Sequence, residues 1–262
     1  MFFAILLWIT AFAVAAGFFV KRWWFPPPIS RHAMAFDSLF AANLIAGGII
    51  FLAVQLALGF VIFRYRDRGQ RATFSTGSTR LEIILISLTA ILFLGAVAAS
   101  SGLWSAVHFT SMQSSDLKIE TAGKQFAWSF RYPGPDGKFG KTDVRLINDA
   151  AGNPFGIPDD DAAGKDDIAT SALRIPAGRP VQLLLHSHDV LHNFFVRELR
   201  VKQDLVPGME IPLRIQADKT GEYEIACSEL CGLGHHQMRS VLIVMPAAEF
   251  DAWLAQQGKR KQ

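Results

Sequence analysis

The chain's two cysteines stand four residues apart in the run Cys227-Ser228-Glu229-Leu230-Cys231-Gly232-Leu233-Gly234-His235-His236-Gln237-Met238. Two thiols followed by imidazoles and a thioether are the soft and borderline donors that select copper over magnesium or calcium. A single Cys, a His and a Met on one loop plus a distant His would describe a mononuclear blue-copper site. The second Cys changes that count. Two thiolates can each bridge two metals, a His on each copper completes a trigonal set, and Met serves as a weak axial ligand. Zinc would ask for four ligands and no Met. A structural disulfide is the plain reading of two cysteines in an extracytoplasmic domain, but it leaves the neighbouring His and Met unexplained. Ligand types favour copper, with a disulfide or a zinc site as the alternatives.

Such ligands need a rigid carrier, and the surrounding sequence reads as one. Ile211, Leu213 and Ile215 alternate with Pro212, Arg214 and Gln216, and Tyr223, Ile225 and Cys227 alternate with Glu222, Glu224 and Ala226. That period of two is the mark of half-buried strands. Val181–Leu185 and Arg239–Met245 are further apolar runs bounded by Gly and Pro. Residues 105–262 are therefore expected to form a β-sandwich of short strands, closed by a helix at Ala247–Gln257. Asp136-Gly137, Gly152-Asn153-Pro154 and Pro158–Gly164 mark residues 136–169 as a long surface excursion. No internal repeat is visible.

The first 104 residues are of a different kind. Half of the chain is hydrophobic and 19% is charged, which excludes a disordered or fibrous protein. Three uncharged apolar stretches, Phe2–Val20, Leu39–Phe63 and Ile83–Trp104, each approach the ~20 residues needed to cross a bilayer. Arg64, Arg66, Arg68, Arg71 and Arg80 crowd the second connection against Asp67 alone, so this loop is cytoplasmic and everything after Trp104 lies outside. Ala13-Val14-Ala15 has the form of a signal-peptidase site, yet no Lys or Arg precedes the stretch, which runs unbroken into Lys21-Arg22-Trp23-Trp24, an interfacial anchor pattern. A retained helix is the favoured reading, giving two or three spans. Residues 1–104 carry 8 Lys/Arg against 3 Asp/Glu, and residues 105–262 carry 18 against 20. The polar half is thus slightly acidic, and no basic groove for nucleic acid is expected.

The run from Cys227 to Met238 closely resembles the binuclear CuA motif of subunit II of haem-copper cytochrome c oxidases. Asp189-Val190-Leu191-His192 resembles the segment with that family's first copper histidine, Lys202-Gln203-Asp204-Leu205-Val206-Pro207-Gly208 its Lys-x-Asp-x-x-Pro-Gly loop, Gln125–Tyr132 its aromatic stretch, and Leu81-Glu82-Ile83 the start of its last membrane helix. The resemblance implies an α+β membrane protein: N-terminal transmembrane helices followed by an extracytoplasmic cupredoxin-like Greek-key β-sandwich, in a bacterial-type inner membrane. It also implies a ligand set. Cys227 and Cys231 would bridge two coppers, His192 and His235 would cap one each, Met238 would be axial, and the Glu229 carbonyl would be the opposing weak ligand. The Glu229 carboxylate would face a Mg site shared with the catalytic subunit. His186, His188 and His236 match no ligand position and are expected at the surface or beside the ligands.

The resemblance further implies a function: a subunit of cytochrome c oxidase that takes electrons from cytochrome c and relays them to haem in a separate catalytic subunit, where O2 is reduced. Partners would be that subunit, the other oxidase subunits and membrane lipid. No Cys-x-x-Cys-His for covalent haem is present, so an external donor is needed. The family's Trp-Tyr-Trp reads Phe126-Ala127-Trp128 here, the Arg after Pro-Gly is Met209, and the Trp-Thr after Leu-Glu-Ile is Leu85-Ile86. These departures point to a divergent or alternative branch, with Phe126 and Trp128 as the place where electrons enter. A nitric oxide reductase CuA subunit is the nearest alternative. A membrane copper chaperone or oxidase assembly factor is the alternative of another class, and a quinol oxidase subunit is disfavoured because it could dispense with the ligands.

Two charged features complete the expectations. The excursion from Asp136 to Asp167 carries eight Asp against four Lys/Arg, and Asp159, Asp160 and Asp161 are candidate docking residues for a basic donor. Thr79-Arg80-Leu81-Glu82 fits a capping box, with Thr79 as cap and Glu82 reaching back. The resemblance gives Glu82 a second role, at the mouth of a proton path into the catalytic subunit.

Overall fold

Apolar runs long enough to bury every backbone polar group internally become helices, and three open the chain: α1 (Phe2–Val20), α2 (Arg31–Arg64) and α3 (Thr79–His108). The structure is a computed structural model and describes residues 2–20, 25–69, 71, 74–108 and 116–260. Two helices, α2 and α3 as far as Val107, are long and apolar enough to cross a membrane. Their side chains are apolar all round and stay exposed, as at Ile49, Phe60, Ile86 and Phe93, the pattern of a helix that faces lipid. The anchor pattern Lys21-Arg22-Trp23-Trp24 lies outside the described residues. Trp8 of α1 donates its indole N–H to the Leu56 carbonyl of α2 at 3.4 Å.

Helix ends differ from the hydropathy boundaries for a local reason. α2 begins at Arg31, eight residues before the apolar run, because Ser30 is its cap: the Ser30 hydroxyl accepts the Ala33 N–H at 3.0 Å. The capping box expected for α3 does not form. Its cap is Ser78, whose hydroxyl takes the Leu81 N–H at 3.4 Å, so Thr79 is already helical. Glu82 then stands one position too far along to reach back, and its carboxylate makes no hydrogen bond among the described residues.

The chain divides into two compact units, residues 1–24 with 36–103, and residues 25–35 with 104–262. The second is a sandwich of β1 (Leu117–Lys124), β2 (Ala127–Tyr132), β3 (Ile168–Thr170), β4 (Leu173–Pro176), β5 (Val181–Ser187), β6 (His192–Val196), β7 (Val201–Leu205), β8 (Ile211–Ile215), β9 (Gly221–Cys227) and β10 (Arg239–Met245), closed by α4 (Ala247–Arg260). One sheet has the order β3-β2-β1-β5-β8 and the other β4-β10-β9-β6-β7. Two parallel pairings, β1 with β5 and β10 with β4, require crossovers between the sheets. This is the cupredoxin-like sandwich that the resemblance implies. Inward residues such as Ile119, Phe130, Leu183, Phe194, Leu213, Ile225 and Leu242 form its core, fully buried.

Residues 25–35 are strapped to this sandwich. Ile29 donates its N–H to the Glu198 carbonyl and accepts the Asp218 N–H, at 3.2 and 2.7 Å. Arg200 and Lys219 bond the carbonyls of Pro26 and Pro28.

The excursion between β2 and β3 is a packed flap covering residues 133–167, and β3 takes Ile168 and Ala169 into the sheet. At its root Arg131 of β2, 1% exposed, pairs with Glu120 and with Asp167 and donates to the Gly140 carbonyl. The rings of Phe139 and Phe155 lie 5.0 and 5.2 Å from its guanidinium. A Cβ on Gly140 would collide with the backbone of Gly164, so the two sides of the flap touch. The long surface excursion is thus tied down by a buried cation and ring stacking.

Candidate metal centre

The ligand residues come from three strand ends and the loop between them. His192 opens β6, Cys227 closes β9 and Met238 immediately precedes β10. β6 and β9 are antiparallel neighbours with Phe194 opposite Cys227, which brings His192 over the start of the loop. The loop is closed by the Cys227 N–H donating to the Met238 carbonyl at 3.1 Å, and Ser228 N–H donates to the Asn193 carbonyl at 3.2 Å. A single 3-10 turn, His235–Gln237, lifts His235 back toward the sulfurs.

These backbones converge five side chains and one carbonyl on a common point. The two sulfurs are 3.9 Å apart and the cysteines are free, whereas a disulfide needs about 2.05 Å. Nδ1 of His192 is 4.0 Å from Sγ of Cys227, and Nδ1 of His235 is 3.6 Å from Sγ of Cys231. Sδ of Met238 lies 3.8 Å from Sγ of Cys231, and the Glu229 carbonyl oxygen 3.1 Å from Sγ of Cys227. His192 and Met238 are fully buried and both cysteines nearly so. His192, Cys227 and Cys231 form a group able to hold a metal ion. Two thiols, two imidazoles presenting the same nitrogen, and a thioether are the donor set of a copper centre. Burial, reinforced by Cys227, pushes the Cys231 thiol up to about 11. Metal must therefore displace protons here, and its affinity falls with acidity.

The rest of the surroundings hold this loop. Phe126, at the tip of the β1–β2 hairpin, lays its ring where a Cβ on Gly234 would be, and the Gln125 side-chain amide donates to the Cys231 carbonyl at 2.5 Å. Phe126 keeps an exposed edge, while Trp128 is buried, 6.0 Å edge-to-face from Phe194. The first ring is accessible from the surface and the second is not. His186 sits 3.7 Å from Glu210, His188 packs on Phe155, and His236 is exposed; none joins the sulfurs. Burial, with His186 next, holds His188 below the ordinary imidazole range. Sequence reasoning passed over Gln125 and the structural part of Asp189. Only the short spacing of Asp189 to His192 signals the second, and nothing signals the first.

The family model described as cytochrome C oxidase subunit II, periplasmic domain, matches residues 117–245. The alternative cytochrome c oxidase subunit 2 of Bradyrhizobium diazoefficiens is 36% identical over 256 residues, covering 97% of this chain and 90% of the relative. The chain belongs to the cytochrome c oxidase subunit II family. The cytochrome c oxidase subunit 2 of Thermostichus vulcanus is 30% identical over 267 residues, covering 88% of this chain and 77% of that one. A crystal structure of the periplasmic domain of subunit II from Bradyrhizobium japonicum is 27% identical, covers 58% of this chain and all of that one, and has a TM-score of 0.42. As a subunit II the chain is the CuA component of a cytochrome c oxidase, a haem-copper oxidoreductase, and its β domain is extracytoplasmic. The departures at Phe126, Met209 and Leu85-Ile86 accord with membership of a divergent branch.

Proposed function

We propose that this subunit II holds two coppers with Cys227 and Cys231 as bridges, His192 and His235 as one cap each, and Met238 and the Glu229 carbonyl as weak ligands, and that it passes electrons from cytochrome c to haem in the catalytic subunit for reduction of O2. The observation that carries this reading is the convergence of five donor side chains around two unpaired sulfurs 3.9 Å apart. When bound, the copper pair supplies a one-electron store shared between two nuclei. The chain's own contribution is rigidity: ligands fixed at strand ends move little when charge changes. Phe126, exposed on one edge and packed on the ligand loop by the other, is the side chain through which a docked donor reaches the loop. Asp159 and Asp160 are exposed and suited to steer a basic donor, while Asp161 accepts the Lys141 N–H at 2.7 Å and belongs to the flap's own structure.

The domain boundary proposed is 1–104 for the membrane region and 105–262 for the CuA domain. The strap at residues 25–35 supports a multi-pass topology, because it keeps the segment before α2 with the extracytoplasmic domain, leaving the arginine-rich Arg64–Arg80 connection on the opposite side. Contact of Trp8 with α2 supports a retained first helix. The Glu229 carboxylate would contribute to a Mg site shared with the catalytic subunit. Glu82, freed of a capping duty, is proposed as the proton-path entrance; Glu82→Gln should leave copper and haem content and reduction by cytochrome c unchanged and slow turnover. Turnover like the parent's makes Glu82 a surface residue.

The decisive experiment is spectroscopy of the full chain loaded with copper. Two coppers per chain and an EPR signal of one electron shared over both nuclei are expected, and Cys227→Ser should abolish the shared signal. One zinc per chain, or a Cys227–Cys231 disulfide in metal-replete protein, would sink the reading. Haem typing of the intact complex, with O2 or NO offered as acceptor, separates oxidase from nitric oxide reductase.

A further inference from the structure

One carboxylate ties together three segments that are distant in sequence. Oδ1 of Asp189 lies 2.7 Å from Nε2 of His192 and also takes the Val190 N–H at 2.7 Å. Its Oδ2 takes the backbone N–H of Gln125, 64 residues away, at 2.8 Å. Gln125 in turn donates its side-chain amide to the Cys231 carbonyl, and the adjoining Phe126 ring fills the space beside Gly232 and Gly234. His192 is fully buried, so its outer nitrogen has no recourse to water. We propose that Asp189 is the positioning residue of the metal centre: it fixes His192 as the Nε2–H tautomer with Nδ1 turned to Cys227, and through Gln125 it clamps the loop that carries Cys231. This rests on the copper reading given above.

The chemistry requires a carboxylate. Both neighbours of Asp189 on this path are N–H donors, one of them a backbone amide that cannot change role, so both oxygens must accept. An asparagine has one oxygen. If that oxygen serves Gln125, the amide nitrogen faces Nε2, which must then accept; the ring proton moves to Nδ1 and points at Cys227, where a metal should bind. If the oxygen serves His192 instead, two N–H groups oppose each other and the hairpin tip is pushed off the ligand loop. Either way one metal-bearing contact is lost. A carboxylate on the outer nitrogen also makes the imidazole a stronger donor, which favours the oxidised centre.

The test begins with a readout that needs neither copper nor a variant. In the metal-free full chain with 15N-labelled histidine, the His192 ring should carry its proton on Nε2 at neutral pH; a proton on Nδ1 overturns the proposal. In the copper-loaded full chain, Asp189→Asn should lose copper to a chelator 10- to 100-fold more readily and shift the reduction potential upward. Gln125→Leu, which keeps the backbone N–H, should weaken copper retention and leave the potential in place. Glu222→Gln removes one exposed charge from the same strand as Cys227 and should change neither. If Asp189→Asn retains copper and potential as Glu222→Gln does, Asp189 is not a positioning residue. Absence of the shared-electron signal from the parent would count against the copper reading instead, and leaves the tautomer measurement to judge Asp189.

Discussion

Two segments leave the sandwich without adding strands to it, and they are held by different means. The ligand loop from Cys227 to Met238 is short, carries one acid, and is fastened by backbone hydrogen bonds, sulfur contacts and one phenyl ring. The flap of residues 133–167 is long and acidic; its root holds to one buried arginine between two carboxylates and two rings, and its middle to Lys124 through Asp149 and to His188 through Phe155. The fastenings within the ligand loop are neutral, and the one carboxylate that acts on it, Asp189, does so from outside, through His192 and the Gln125 amide. The flap is anchored by charge at two places, a buried post at Arg131 and an exposed pair between Lys124 and Asp149. The difference predicts that each segment can be broken without the other.

The largest effect is expected at that post. Arg131→Met leaves the buried Asp167 and the half-buried Glu120 with no cation between them, and removing one partner of a buried ion pair typically costs about 3–5 kcal/mol. Chemical denaturation of the full chain should show a loss of that order, and limited proteolysis should cut within 136–167. The copper EPR signal of the surviving folded protein should be unchanged. A perturbed copper signal would mean that the two segments are coupled and the comparison fails.

Next in size is a dependence on pH. Burial raises the Asp167 carboxyl from its ordinary 3.8 to about 6, against the pull of the Gly140 N–H and Arg131. A raised acid binds its proton more tightly folded than unfolded, so it contributes most below about pH 4, and stability falls as pH rises from there to about 6. Asp167→Asn keeps an acceptor for Gly140 and Arg131 without the charge. Relative to the parent it should gain stability as pH rises through that window, by about 3 kcal/mol at most above it, from a shift of roughly two pKa units. A parallel pH profile in parent and variant would show that Arg131 already neutralises the site.

The ligand loop is broken by a methyl group. In Gly234→Ala the new Cβ would occupy the place of the Phe126 ring, and forced overpacking typically costs about 1–3 kcal/mol. Copper should be released faster and the spectrum should broaden, with no new proteolysis in the flap. An unaltered copper site would show that Phe126 moves aside freely and has no part in holding the loop.

What could be read in the sequence follows the same division. The ligand loop announces itself because Cys, His and Met are rare and their spacing leaves few alternatives. Strands were legible too: the alternation over Ile211–Gln216 falls on β8, the apolar run Arg239–Met245 is β10, and the alternation over Glu222–Cys227 lies within β9. The flap was legible only as composition. Its shape depends on Arg131, which lies outside it, and on partners 9 and 36 residues further on, a pairing that no local pattern encodes. The Asp189–Gln125 contact is hidden for the same reason. Trp128 shares its motif with Phe126, and only the strand register shows that it points inward while Phe126 stays partly exposed. At Ser78 the error was a single residue, since Ser and Thr are both good caps and only the backbone decides which one the helix uses.

The smallest effect concerns what the flap is for. Asp159 and Asp160 are exposed, and the stretch from Asp136 to Asp167 bears four more acidic than basic residues. A basic donor approaching at low ionic strength would feel that field, and removal of two charges by Asp159→Asn with Asp160→Asn should slow reduction of the copper centre a fewfold in rate. At 1 M salt, where screening acts over about 3 Å, parent and variant should converge. Asp161 is left in place because its carboxylate orders the flap. Arg131→Met provides the sharper half of the test: it loosens the flap yet retains Asp159–Asp161, so its low-salt rate reports whether the charges must be held in place or need only be present. Slowing in both variants makes the flap a positioned docking surface. Slowing in neither transfers docking to the apolar rim of Phe126, Leu191 and Leu233 around the ligand loop, whose contacts salt would leave unaffected.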